Sequence, residues 1–241
     1  MDPDSEQLRS ILQSKSWFGF DLDDTLHEFR KASRAATTHC LNHIANKSQP
    51  TLRDLQDRYA IILKQGTAEA FTDGKTSHDY RRARFTATLS HFGLDHDDVC
   101  IDELLNTYER VLVDNLTLKP GATSLLQAIK GSGRKIAVIT EGPQGAQERA
   151  VRDLGIEQYV DFLATTNYFG VAKTSGLFSK VLEHLNVQPH DMVFIGDSQE
   201  RDIEPATKEG IYAIHLAEDQ TEPLVLQRRS VNSLDVVARL I

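Results

Sequence analysis

Five short apolar runs punctuate the chain: Trp17 to Leu22, Lys135 to Thr140, Asp161 to Thr165, Met192 to Gly196 and Ile211 to Leu216. Continuous apolar runs of this length suit strands that are covered on both faces, as in a parallel sheet. Between the later runs the apolar spacing turns helical, near 121–131, 144–154, 175–186 and 200–209. Strand and helix in alternation predict an α/β fold, a parallel five-stranded core sheet flanked by helices.

Residues 28–115 follow another rhythm. Amphipathic helical segments are predicted near 28–46, 51–65, 77–92 and 101–115, with no strand among them. Breaks fall at Lys47-Ser48-Gln49-Pro50, Thr72-Asp73-Gly74 and Phe92-Gly93-Leu94-Asp95. Nearly ninety residues are too many for a loop inside a compact domain. The expectation is an all-helical cap at 28–115, inserted into a core made of 1–27 and 116–241. It enters directly behind the first strand, where it would sit over a cleft as a lid.

Composition narrows the partners. At 241 residues, 40% apolar and 26% charged, the chain can bury a sizeable core, and its formal net charge is −8. An acidic chain argues against nucleic acid, because phosphate backbones demand clustered Lys and Arg. The densest basic group, Arg81, Arg82 and Arg84, reads as a solvated helix face. Cys40 and Cys100 lack metal-ligand spacing and read as reduced thiols. No segment approaches the roughly 20 apolar residues of a membrane span, and the first 15 residues are too polar for a secretory signal. The expectation is a cytoplasmic protein without membrane partners, with a monomer as the default and a weak dimer left open.

The chemistry gathers where strands end. Asp21 and Asp23 leave the first strand two positions apart, and crowded carboxylates repel unless a cation or proton lies between them. In open α/β sheets ligands sit at this carboxyl edge. Thr140-Glu141-Gly142 ends the second strand with a hydroxyl and free N–H groups ahead of a helix, a turn that can hold an anion. Lys173 follows the third strand, and Gly196-Asp197 through Asp202 follow the fourth. Carboxylates for a hard cation, a hydroxyl with backbone donors and one lysine together make a phosphoryl site.

These four segments resemble the haloacid dehalogenase-like superfamily of aspartate-nucleophile phosphohydrolases. Asp21-Leu22-Asp23-Asp24-Thr25 matches its first motif, DxDxT after an apolar strand. Thr140 matches the second motif, Lys173 the third, and Gly196-Asp197 through Asp202 the fourth, GDxxxxD. The resemblance implies a Rossmann-like core with a type 1 helical cap. It also implies a Mg2+-dependent phosphatase that hydrolyses a small phosphomonoester through an aspartyl-phosphate.

By the same resemblance Asp21 is the nucleophile and Asp23 the acid/base. Mg2+ is held by the Asp21 carboxylate, the Asp23 carbonyl and Asp197. Thr140 and the Glu141 N–H bind phosphate oxygens, and Lys173 neutralises both phosphate and Asp21. Asp202 supports the metal or orients Lys173, and Thr25 is expected to secure its loop by hydrogen bonding. Asp24 reads as a cap or a solvated acid, and His27 as a lid-hinge or rim residue. Arg30, Lys31, Arg34 and Lys64 read as basic candidates on the cap, with solvent exposure the simpler account.

Dehalogenases lack an acid two residues after the nucleophile, since a halide needs no proton. Asp23 therefore favours a phosphatase over a dehalogenase, with a phosphomutase or an idle binding module as alternatives. The segments look most like the pyrimidine 5'-nucleotidase and N-acylneuraminate-9-phosphatase subgroups. Those usually carry Asn where Glu141 stands and Pro where Thr174 stands. The Glu141 charge beside the cradle is expected to influence the choice of leaving group.

Overall fold

The computed structural model describes residues 3–66 and 71–241. Helix α1 (Pro3–Gln13) precedes β1 (Trp17–Phe20), and four helices follow: α2 (Phe29–Ala45), α3 (Leu52–Gly66), α4 (Ser77–His91) and α5 (Asp98–Asp114). The chain then alternates through α6 (Ala122–Gly131), β2 (Lys135–Thr140), α7 (Gln144–Asp153) and β3 (Phe162–Thr165). A single turn α8 (Thr166–Phe169) and α9 (Leu177–Leu185) lead to β4 (Met192–Gly196). Helix α10 (Glu204–Lys208), β5 (Tyr212–Leu216), β6 (Leu224–Val225), β7 (Ser230–Val231) and α11 (Leu234–Ala238) complete it.

The sheet runs β3-β2-β1-β4-β5-β7-β6, and all pairs except β6–β7 are parallel. Its five central strands are the five apolar runs. Strands β6 and β7 were not anticipated, because pieces of two residues are too short to register as periodicity. The sequence also gave no warning of α1, whose Leu8 and Leu12, one helical turn apart, are buried in the core. The helix expected over 200–209 is divided. A wider π-type turn spans Gln199–Ile203, and α10 begins behind it with Pro205 in its first turn. A proline there gives up no helical hydrogen bond.

Both faces of the sheet are covered. Phe18 and Phe20 enter one apolar layer, with α1, α6 and α11, while Trp17 enters the other, with α9 and α10. This two-residue alternation with every position buried explains why β1 reads as a continuous apolar run. Helices α2 to α5 form a separate apolar cluster that includes Ala32, Cys40, Tyr59, Phe85, Leu104 and Tyr108.

The crossing into and out of these helices is a small piece of sheet. His27 pairs antiparallel with Leu118, Glu28 N–H donates to the Thr117 carbonyl at 2.9 Å, and Lys119 N–H donates to that of Leu26 at 2.9 Å. The sheet order reverses at β1, whose neighbours β2 and β4 lie on opposite sides. The crevice at such a reversal is where open α/β sheets bind ligands.

Candidate active site

Strand β1 delivers Asp21 to that crevice: its N–H continues the ladder by donating to the Ile195 carbonyl at 3.0 Å. Asp197 arrives just after β4, with its carbonyl held by His215 Nε2 at 3.0 Å. Lys173 stands in the turn after α8, almost fully buried. Its Nζ donates to Asp21 Oδ1 and to Asp202 Oδ1, each at 2.5 Å. The second Asp202 oxygen accepts the Ser198 N–H at 3.0 Å. Gly196 makes this possible, since a Cβ there would lie 2.6 Å from the Asp202 side chain. Asp202 thus accepts a hydrogen bond from Lys173, the contact that one of its two expected roles requires.

Burial disfavours the Lys173 ammonium, but Asp202 and Asp21 more than reverse that and hold its pKa well above the usual lysine value. Burial foremost pushes Asp21 up to about 8. Asp202 and Asp23 add to this, while Lys173 opposes it. One lysine does not neutralise this many acids. Oxygen atoms of Asp21, Asp197 and Asp202 lie within 4.8 Å of one another, and among the described residues no main-chain N–H donates to the Asp23 carbonyl. A hard, oxygen-seeking divalent cation fits such a donor set.

Thr140 ends β2 two residues past Val138, the register partner of Phe20. Its hydroxyl is buried and has no partner among the described residues, as suits a group that serves a ligand. The Glu141 side chain is engaged by the Lys173 turn and by Arg201. Its Oε1 accepts the Lys173 N–H at 3.2 Å, and Oε2 lies 3.6 Å from Arg201 Nη1. Thr25 is buried, but its hydroxyl makes no hydrogen bond among the described residues, contrary to expectation. Asp24 does cap: Oδ1 accepts the Arg30 N–H at 3.0 Å, in the first turn of α2.

Asp23 is partly open, with its side chain 22% exposed. His27 Nε2 lies 2.9 Å from its Oδ1, and Gln147 Nε2 lies 3.4 Å from its Oδ2. Sequence reasoning placed His27 at a hinge or rim. Its backbone is at the hinge, but the side chain is fully buried. The available signal was its four-residue spacing from Asp23. Gln147 gave none, being one polar residue on a polar helix. Arg30, read as solvent-exposed, is 63% exposed and yet reaches Asp197 Oδ2 with Nη2 at 3.1 Å. In the arginine cluster of α4, Arg81 pairs with Glu109 and lies over Tyr108, Arg82 pairs with Asp98 and Asp102, and Arg84 lies over the Tyr80 ring.

Comparison with known proteins shows the family and the fold. The family model described as haloacid dehalogenase-like hydrolase matches residues 19–216. A glyceraldehyde 3-phosphate phosphatase of Methanothermobacter thermautotrophicus is 26% identical over 204 residues, 84% of this chain and 86% of that protein. The pyrimidine 5'-nucleotidase YjjG of Escherichia coli is 27% identical over 189 residues, 78% of this chain and 79% of that one. Among solved structures, the HAD-hydrolase YfnB from Bacillus subtilis bound to magnesium superimposes with a TM-score of 0.72. It is 22% identical, and the match covers 94% of this chain and 98% of that one.

Proposed function

The chain belongs to the haloacid dehalogenase-like hydrolase family, and from that premise we propose that it is a Mg2+-dependent phosphatase. Its substrate is a small-molecule phosphomonoester, cleaved through an aspartyl-phosphate on Asp21. The observation that carries this reading is the buried Lys173 ammonium, 2.5 Å from both Asp21 and Asp202 beside a partly exposed Asp23. A lysine so placed aligns the Asp21 carboxylate and meets the charge of an arriving phosphate.

The Asp21 carboxylate attacks phosphorus, and the bond from phosphorus to the leaving oxygen breaks as Asp23 gives that oxygen its proton. Asp23 then takes a proton from water, whose attack releases phosphate and restores Asp21. Thr140 Oγ1 and the Glu141 N–H hold phosphate oxygens during both halves. Asp21, Asp197 and the Asp23 carbonyl would hold Mg2+, which when bound supplies positive charge against the repulsion between carboxylates and phosphate. The relatives named as a phosphatase and a nucleotidase support this chemistry over halide displacement, as does the retention of Asp23.

The helices between residues 28 and 115 act as a lid on the core formed by 1–27 and 116–241. Closure keeps bulk water from the aspartyl-phosphate, and the lid's inner face selects the leaving group. The test is phosphate release with Mg2+ from a panel of nucleotides, sugar phosphates, sialic acid phosphate, phosphoglycolate and isoprenoid phosphates. Release is expected to depend on Mg2+ and to vanish in Asp21→Asn. Isomer formation without free phosphate would identify a mutase instead, and silence across the panel would contradict an enzyme of this class.

A further inference from the structure

We propose that His27 is a positioning residue that fixes the carboxyl plane of Asp23, with Gln147 steadying the opposite oxygen; this rests on the phosphatase reading above. An acid/base of this kind must aim one oxygen at the leaving group and later at water. A free carboxyl on a strand-end loop can rotate away. Here Oδ1 is 2.9 Å from His27 Nε2, and among the described residues Oδ2 has only the longer 3.4 Å contact with Gln147 Nε2. The histidine contact holds the group, and Oδ2 is the oxygen left to exchange protons.

The ring itself is held rigidly. His27 is fully buried, its carbonyl accepts the Asp24 N–H at 2.8 Å, and its backbone pairs with Leu118 at the hinge. Phe29 meets the ring edge-on at 5.9 Å. Its Nδ1 is buried without a partner among the described residues. An apolar ring would fill this space without that unpaired atom, so the contact to Asp23 is what a histidine adds. Gln147 has room to approach because residue 142 is glycine: a Cβ there would lie 2.5 Å from Gln147 Nε2.

The geometry makes a specific demand on kinetics. A misaimed Asp23 harms substrates whose leaving oxygen needs a proton and spares those whose leaving group departs as a stable anion. The experiment compares kcat/KM for p-nitrophenyl phosphate and for an alkyl phosphomonoester, in wild type, His27→Phe, His27→Gln and Gln147→Met, with Mg2+ present. In His27→Phe the alkyl substrate is expected to lose about 100-fold, while p-nitrophenyl phosphate changes little. His27→Gln, which returns an N–H near the same point, should recover most of the loss. Gln147→Met should show the same selectivity with a smaller loss.

Equal losses on both substrates, or no recovery in His27→Gln, would overturn the inference while leaving the phosphatase standing. Should His27→Phe fail to fold, the selectivity of Gln147→Met and the retention in His27→Gln decide the matter. No phosphate release by the wild type would remove the phosphatase reading and this inference with it.

Discussion

A buried lysine is held charged by the carboxylates upon it, and two further contacts support that cluster at Lys173. Asp202 is fixed by the Ser198 N–H, and Glu141 accepts the N–H of Lys173 itself. The Glu141 charge read from sequence as a selector of leaving groups is therefore turned toward Arg201 and the lysine turn. Glu141→Gln keeps an acceptor for the Lys173 N–H and should leave the order of substrate preference unchanged. Glu141→Asn is too short to reach, and should lower kcat about tenfold on every substrate through a displaced lysine. Turnover across the panel checks both, and a reordered panel in Glu141→Gln would return the charge to the substrate. At this scale Asp21, Asp23, Thr140, Lys173 and Asp197 were legible because their types and spacing carry the chemistry. His27 and Gln147 were not, since their roles depend on where a side chain lands after folding.

Among elements, the join between α6, β2 and β3 depends on Asp161. Its two oxygens accept from Lys130 Nζ at 2.8 and 2.7 Å, and one also accepts the Ile136 N–H at 2.8 Å. Burial pushes this carboxyl up, but Lys130 and the Ile136 N–H more than offset it and hold it below the usual carboxylate range. A folded pKa below the unfolded one contributes stability above the unfolded value, and that stability is lost as pH falls through the folded value. Asp161→Asn should therefore destabilise the protein by about 1 kcal/mol near neutral pH, allowing for partial solvent screening. The deficit should close as pH falls below about 4. Denaturant unfolding at both ends of that range reads it, and a deficit that persists in acid would contradict the assignment. The central strands and the four inserted helices were legible because apolar period distinguishes them. Helix α1 shows only two buried leucines, β6 and β7 are two residues each, and the division at 199–208 follows from Asp202 and Pro205.

As a whole, the molecule sets a helical unit beside the carboxyl edge of a parallel sheet, and His27 both pairs with Leu118 at the crossing and lies 2.9 Å from Asp23. Arg149 of α7 reaches across to Glu109 of α5 at 3.2 Å and Ser77 of α4 at 3.3 Å, and Arg30 of α2 reaches Asp197. The length and position of the insertion announced such a unit, but the pairs that seat it join residues far apart in sequence. The proposed chemistry turns on Asp21 as the nucleophile. The most direct test uses Asp23→Asn with Mg2+ and p-nitrophenyl phosphate: attack proceeds without an acid, while hydrolysis lacks its base. Acid quenching followed by intact-protein and peptide mass measurement should find one phosphoryl group on the peptide that contains Asp21, and none in the Asp21→Asn, Asp23→Asn double variant. A phosphoryl group on another residue, or wild-type turnover with none trapped on the chain, would contradict it.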